Sequence, residues 1–150
     1  NVLRDKYIAS LGPDAAGLDF KTFVSRLTKH KGMIKPVLLR QDVFSGIGNI
    51  IADELLWTAK IHPKRLILSL TKRDLQNLFT ALKKVLQRSI KAQGTTLRNW
   101  QHPDGKVGGF QDYIRVYGRK NEKCTRCRNK IVRIVVGNRG TWICQHCQPT

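Results

Sequence analysis

The chain's four cysteines stand in two pairs, Cys124-x2-Cys127 and Cys144-x2-Cys147, with sixteen residues between the pairs. Each pair fits a tight turn that aims two sulfurs at one point, and a hairpin between the pairs brings the turns together into a tetrahedral cage. That is zinc-ribbon spacing. Two disulfides are the alternative, but every cysteine lies in ribbon register and no secretory segment opens the chain, so one zinc ion is the expected occupant. Four thiolates leave the metal no open position for water or substrate, so the ion is expected to fold the module rather than catalyse. His146, inside the second pair, finds no vacancy to fill, and His30, His62 and His102 read as surface or packing residues.

Between the pairs, Ile131–Val136 and Thr141–Ile143 read as strands, with Gly137-Asn138-Arg139-Gly140 as the turn and Arg139 at its tip. From Tyr113 to Thr150 nine basic residues face Glu122 alone. The whole chain carries 28 Lys and Arg against 10 Asp and Glu, a formal +18, which makes a phosphate backbone the natural partner. No apolar run approaches a membrane span, and no lipidation signal is present, so a membrane partner is not expected.

The first hundred residues read as helical. Leu75, Leu78, Phe79, Leu82, Val85, Leu86 and Ile90 recur at three- and four-residue steps and predict a helix from about Thr71 to Gln93, with Thr71 and Asp74 as a capping box and Gly94 as the stop. Asp19 is placed to cap a helix reaching about His30, a short helix follows Pro36, and another spans about Asn49 to Lys60, ended by Pro63. The expected architecture is mainly α with a small β zinc module. A four-helix bundle (1–94) leads through a polar, glycine-rich linker (95–112) into the zinc module (113–150).

Ser45-Gly46-Ile47-Gly48-Asn49 sets two glycines before a helix, which frees backbone amides to approach an anion at the helix's positive end, with Asn49 as cap. An ordinary tight turn between core helices explains the same residues equally well. The longer stretch QDVFSGIGNIIADELLWTAKIHP resembles the helix-two-turn-helix motif of the formamidopyrimidine-DNA glycosylase and endonuclease VIII family. Leu11-Gly12-Pro13-Asp14, Lys31-Gly32-Met33-Ile34-Lys35-Pro36, the stretch GTTLRNWQHPDGKVGGFQDYIRVYGR and the cysteine ribbon extend the likeness, in the family's order, over nearly the whole chain. The linker and Val116-Tyr117-Gly118-Arg119 favour the formamidopyrimidine branch, which acts on oxidised purines.

The resemblance implies a base-excision-repair glycosylase and lyase that flips a damaged base from duplex DNA and cleaves the strand by β,δ-elimination. It implies phosphate binding by Asn49 with Gly48, basic contacts from Lys31 and Lys35, a weaker contact from Tyr117, and a phosphate grip by Arg139 that doubles as proton donor in δ-elimination. It also implies that 95–112 closes over the everted base. Asn1-Val2 departs from the family's Pro-Glu start, so the N-terminal catalytic domain is expected to lie outside this chain and the chain alone to be inactive. The implied protein is a monomer in the cytoplasm, with the nucleoid, on double-stranded DNA carrying damaged bases or abasic sites. A non-enzymatic ribosomal or chromatin zinc-ribbon module explains the charge but not the joint order of turn, loop and hairpin. A CxxC redox protein would need a βαβ context that is missing.

Overall fold

The computed structural model describes residues 1–92 and 112–150. Five α-helices come first, α1 (Val2–Ser10), α2 (Phe20–Leu27), α3 (Ile34–Leu38), α4 (Asn49–Ala59) and α5 (Lys72–Lys91), and an antiparallel hairpin follows, β1 (Val132–Val136) and β2 (Arg139–Ile143). The sequence reading thus misses α1. It buries no residue, leaves Val2, Leu3, Tyr7 and Ile8 exposed, and so carries little of the amphipathic pattern that identifies a helix.

The caps explain where the other helices start. Asp19 accepts from the Thr22 amide at 2.8 Å, and at α5 Thr71 and Asp74 form the full reciprocal box, reinforced by Arg65 donating to Asp74 at 3.0 Å. Helix α2 stops three residues short of the expected His30. Pro36 stands third in α3 rather than ahead of it, which the first turn tolerates because its missing N–H has no intrahelical acceptor there. Helix α4 ends where Lys60 turns left-handed (φ 61°).

One core of Phe23, Leu27, Ile34, Leu38, Phe44, Leu55, Leu78 and Leu82, among others, fills the space between α2, α3, α4 and α5. Phe23 stacks on Phe44 and meets Phe79. Ile90, read as a core position, is 66% exposed. A second, smaller core joins Val116, Ile131, Cys124 and Cys144 to Trp57, whose ring comes from α4. Helix α4 therefore serves both cores and is buried almost all round. The hairpin closes through Gly137 and Asn138, both left-handed (φ 56° and 64°), a two-residue type I′ turn whose twist matches the strands. The turn is shorter than the expected four residues. Arg139 opens β2 opposite Val136 instead of standing at the tip itself.

Candidate metal centre and nucleic-acid interface

The four cysteine sulfurs lie within 4.8 Å of one another. Tetrahedral zinc thiolate, with bonds of about 2.3 Å, requires neighbouring sulfurs about 3.8 Å apart, and the sulfurs of Cys124 and Cys147 are separated by 3.9 Å and those of Cys127 and Cys144 by 3.4 Å. The donor set fits one zinc ion and holds it structurally. All four cysteines are free of disulfides. Asn129 donates to Cys127 Sγ at 3.3 Å and holds that thiol down to about 6, whereas burial pushes the Cys144 thiol up to about 12. A divalent cation is what allows such unlike thiols to be thiolates together.

Three buried side chains hook the zinc module onto the helices. Glu54 accepts from the consecutive amides of Arg115, Val116 and Tyr117 at 2.6, 3.0 and 3.0 Å. Burial pushes its carboxyl pKa up, and those three amides oppose the shift. Gln148 accepts from the Cys144 amide and donates to the Ile61 carbonyl. Asp53 accepts from the Trp142 amide at 3.1 Å and pairs with Lys35 at 2.8 Å, both side chains fully buried. Arg126 reaches the other way from the module, stacking on the Trp57 ring at 3.8 Å and donating to its carbonyl at 2.6 Å.

Lys35 is consequently no surface cation. Its ammonium also donates to Thr141 Oγ1 at 2.6 Å and the Gly140 carbonyl at 3.2 Å, so all its donors are engaged inside the protein and none faces a backbone phosphate. Burial pushes Lys35 down and Asp53 up to about 6, and their mutual attraction opposes both shifts.

Asn49 is the first residue of α4, and Gly48, not Asn49, is its cap. The Asn49 amide donates to the Gly140 carbonyl at 3.0 Å and has a second N–H to give. Gly48 makes no side-chain cap, and a Cβ added there would meet nothing within 4 Å, so the positive end of α4 opens outward. Gln41 holds the turn before it, donating to the Ile47 carbonyl at 3.0 Å and accepting from Gly46, whose φ of +94° requires glycine. The Asn49–Gly140 bond thus sets the exposed Arg139, ninety residues away in sequence, beside the N-terminus of α4.

Tyr117 leans on Trp142 at 4.4 Å, half-buried, and Arg133 lies over the other ring of that pair, Trp142, at 5.4 Å. Lys31 is exposed ahead of α3. The expected loop over an everted base, 95–112, lies outside the described residues except for Asp112. Sequence reasoning missed Asp53, Glu54, Trp57, Arg126 and Gln148. The signal for the first two was two acids in the opening turns of a helix otherwise apolar on every side.

A helical bundle with a four-cysteine zinc hairpin folded against the N-terminus of α4 defines a class of zinc-stapled helical proteins. The sequence matches the formamidopyrimidine-DNA glycosylase H2TH domain over residues 11–101 and the zinc finger found in FPG and IleRS over 121–150. The chain belongs to the formamidopyrimidine-DNA glycosylase family. It is 48% identical over 140 residues to the formamidopyrimidine-DNA glycosylase of Herpetosiphon aurantiacus, covering 92% of this chain and 51% of that protein, and 44% identical over 147 residues to that of Photorhabdus laumondii, covering 97% and 55%. Among solved structures it resembles the MutM (Fpg) protein of Thermus thermophilus at TM-score 0.86 and 38% identity, covering 93% of this chain and 54% of that one. It also resembles the Lactococcus lactis Fpg in complex with an abasic site containing DNA, at TM-score 0.86 and 36% identity, covering 99% and 55%. The chain spans about half the length of the curated relatives it matches.

Proposed function

We propose that this chain is the damaged-DNA-binding part of a base-excision-repair glycosylase acting on oxidised purines. The observation that carries this reading is the Asn49–Gly140 bond, which makes one surface of the open N-terminus of α4 and the Arg139 end of the hairpin. Backbone amides, a helix dipole and a guanidinium converge there on the space a phosphate flanking a lesion would occupy. Lys31, Gly48 and Tyr117 belong to the same proposed interface, while Lys35 acts from behind it by fixing Gly140 and Thr141. Residues 1–94, 95–112 and 113–150 are its three parts, with the middle one as the lesion-recognition loop. The likeness to an Fpg complex with abasic-site DNA supports the partner, double-stranded DNA with damaged bases or abasic sites. We extend the reading to a monomer acting in the cytoplasm alongside the nucleoid. Among the described residues no helix is long and apolar enough to cross a membrane.

Arg139→Ala is expected to weaken binding of an abasic-site duplex by about 1.5–3 kcal/mol, the range for a hydrogen bond to a charged group, with zinc content unchanged. Arg139→Lys should recover only part of this, because an ammonium cannot make two parallel bonds to a phosphate. Fluorescence titration at fixed salt checks it, since phosphate-dominated binding falls steeply with salt. Equal affinities, with Arg128→Ala alone weakening binding, would move the contact elsewhere in the module.

The activity we propose for the whole protein is that of a bifunctional glycosylase and β,δ-lyase, with Arg139 assisting δ-elimination. The amine nucleophile and acid that it requires match no residue of this chain, so borohydride treatment with an abasic-site duplex should trap no covalent adduct on it. A trapped adduct would place a Schiff-base amine within these 150 residues.

A further inference from the structure

At the far end of α4 lies a second basic surface that the proposed DNA interface does not use. Two concavities of about 430 and 330 Å³ meet at Lys60, the left-handed residue that ends the helix. The larger runs under the outer edge of the zinc module, where Arg126, His146 and Pro149 line it beside two of the zinc ligands, Cys127 and Cys147. The smaller runs to the middle of α5, where Lys84, Asn77 and Thr80 line it. No Asp or Glu lines either one, and the thiolates of Cys127 and Cys147 at the edge of the larger share their charge with the zinc ion. Among the described residues Lys60 and Lys84 join no ion pair, and Arg126 faces no carboxylate but the sulfur of Cys147, while Asp42, Asp74 and Glu122 are each matched to an arginine elsewhere.

The eleven residues of α4 separate this furrow from Asn49 by roughly 16 Å of helix. A phosphate held on the axis beyond Asn49 therefore lies about two screening lengths away at physiological salt, so these cations contribute little to holding that duplex. The shape also discriminates. A duplex presents its phosphates on a broad convex cylinder and has no means of filling two pits. A flexible segment with projecting carboxylates can place side chains in both, against the Pro149 ring and the methyl groups of Ala59 and Ala81. Arg126 is pre-set for the task, since Trp57 and the end of α4 fix its guanidinium before any partner arrives.

We propose that the furrow between Arg126, Lys60 and Lys84 is a docking site for an acidic, extended peptide segment of a partner protein, engaged while the opposite end of α4 holds DNA. The test is fluorescence anisotropy with a labelled peptide alternating Asp and Ala, and a control peptide carrying Asn in place of Asp, on the 150-residue chain. The acidic peptide should bind and the control should not. Saturating abasic-site duplex should leave the peptide bound. Lys60→Asn with Lys84→Glu should weaken the peptide at least roughly tenfold, as expected when one charge contact is removed and one reversed, and Asn is chosen because it tolerates the left-handed backbone. The same double variant should bind one duplex as the wild type does. Displacement of the peptide by duplex, peptide affinity indifferent to the double variant, or a second duplex bound by wild type and lost in the variant would each overturn the proposal, the last assigning the furrow to a second DNA segment.

Discussion

Chelation of the zinc ion is expected to unfold residues 113–150 while most of the helical signal persists. The expectation follows from how little else holds the module. Its own core consists of Val116, Ile131, Cys124 and Cys144 against one ring of Trp57, and its only regular structure is a two-stranded hairpin, which is marginal by itself in water. Zinc binding in comparable four-ligand peptides amounts to about 10–16 kcal/mol, more than such a core supplies, so the metal decides whether the module is folded. The helical core draws none of its residues from beyond Leu86 among those fully buried, and therefore should survive. Hydrogen exchange resolves the two parts: after chelation the amides of β1 and β2 should exchange freely while those of α5 from Leu78 to Leu86 stay protected. Loss of both together would mean that the hooks through Asp53, Glu54 and Gln148 make one cooperative unit. Retention of both would mean that the hairpin folds without metal.

The second large effect is expected at Lys35. Lys35→Met leaves Asp53 buried with the Trp142 amide as its only remaining donor, and breaking one side of a buried pair typically costs about 3–5 kcal/mol. Its pH dependence identifies the cause. The Asp53 pKa, already raised to about 6 by burial, should rise further without the ammonium, so over the range from 3.8 to that higher value the folded variant binds more protons than the unfolded one. Wild type shares that excess up to about 6, so stability of the variant relative to wild type should fall as pH rises from about 6 to the higher value and be least impaired in acid. Urea denaturation at pH 5 and pH 8 should show the larger deficit at pH 8, and Lys35→Met with Asp53→Leu should restore most of the loss. A deficit independent of pH would mean that the lost lysine packing, and not the stranded carboxylate, is responsible.

The resemblance foresaw Lys35 as a cation facing DNA, and the physical reason for the difference shows what a sequence can carry. Local patterns were legible: the thiol spacing, the capping box of Thr71 and Asp74, and the apolar steps of α5 are each set by residues a few positions apart. The Lys35–Asp53 pair joins α3 to α4 beneath Gly140, more than a hundred residues on from Lys35, and nothing in the lysine or its neighbours distinguishes it from Lys31, which stays on the surface. The glycines before Asn49 lead into a helix end that carries no side-chain cap. The cap was displaced by one residue because the Asn49 amide is drawn to the hairpin's carbonyl, a tertiary bond that overrides the local preference of asparagine for the cap position. Helix α1 was missed for the opposite reason, having no buried face to write a period into the sequence.

The joint surface of α4 and the hairpin is tested most directly by hydrogen exchange on the chain with and without an abasic-site duplex at fixed salt. Phosphate binding at the open helix end should slow exchange of the amides of Asn49, Ile50 and Ile51, which have no intrahelical acceptor, together with Asn138 and Arg139, and leave the outer face of α5 unchanged. Protection along Lys83, Lys84 and Arg88 with none at Asn49–Ile51 would contradict it, and would place the DNA on the solvated face of α5 instead.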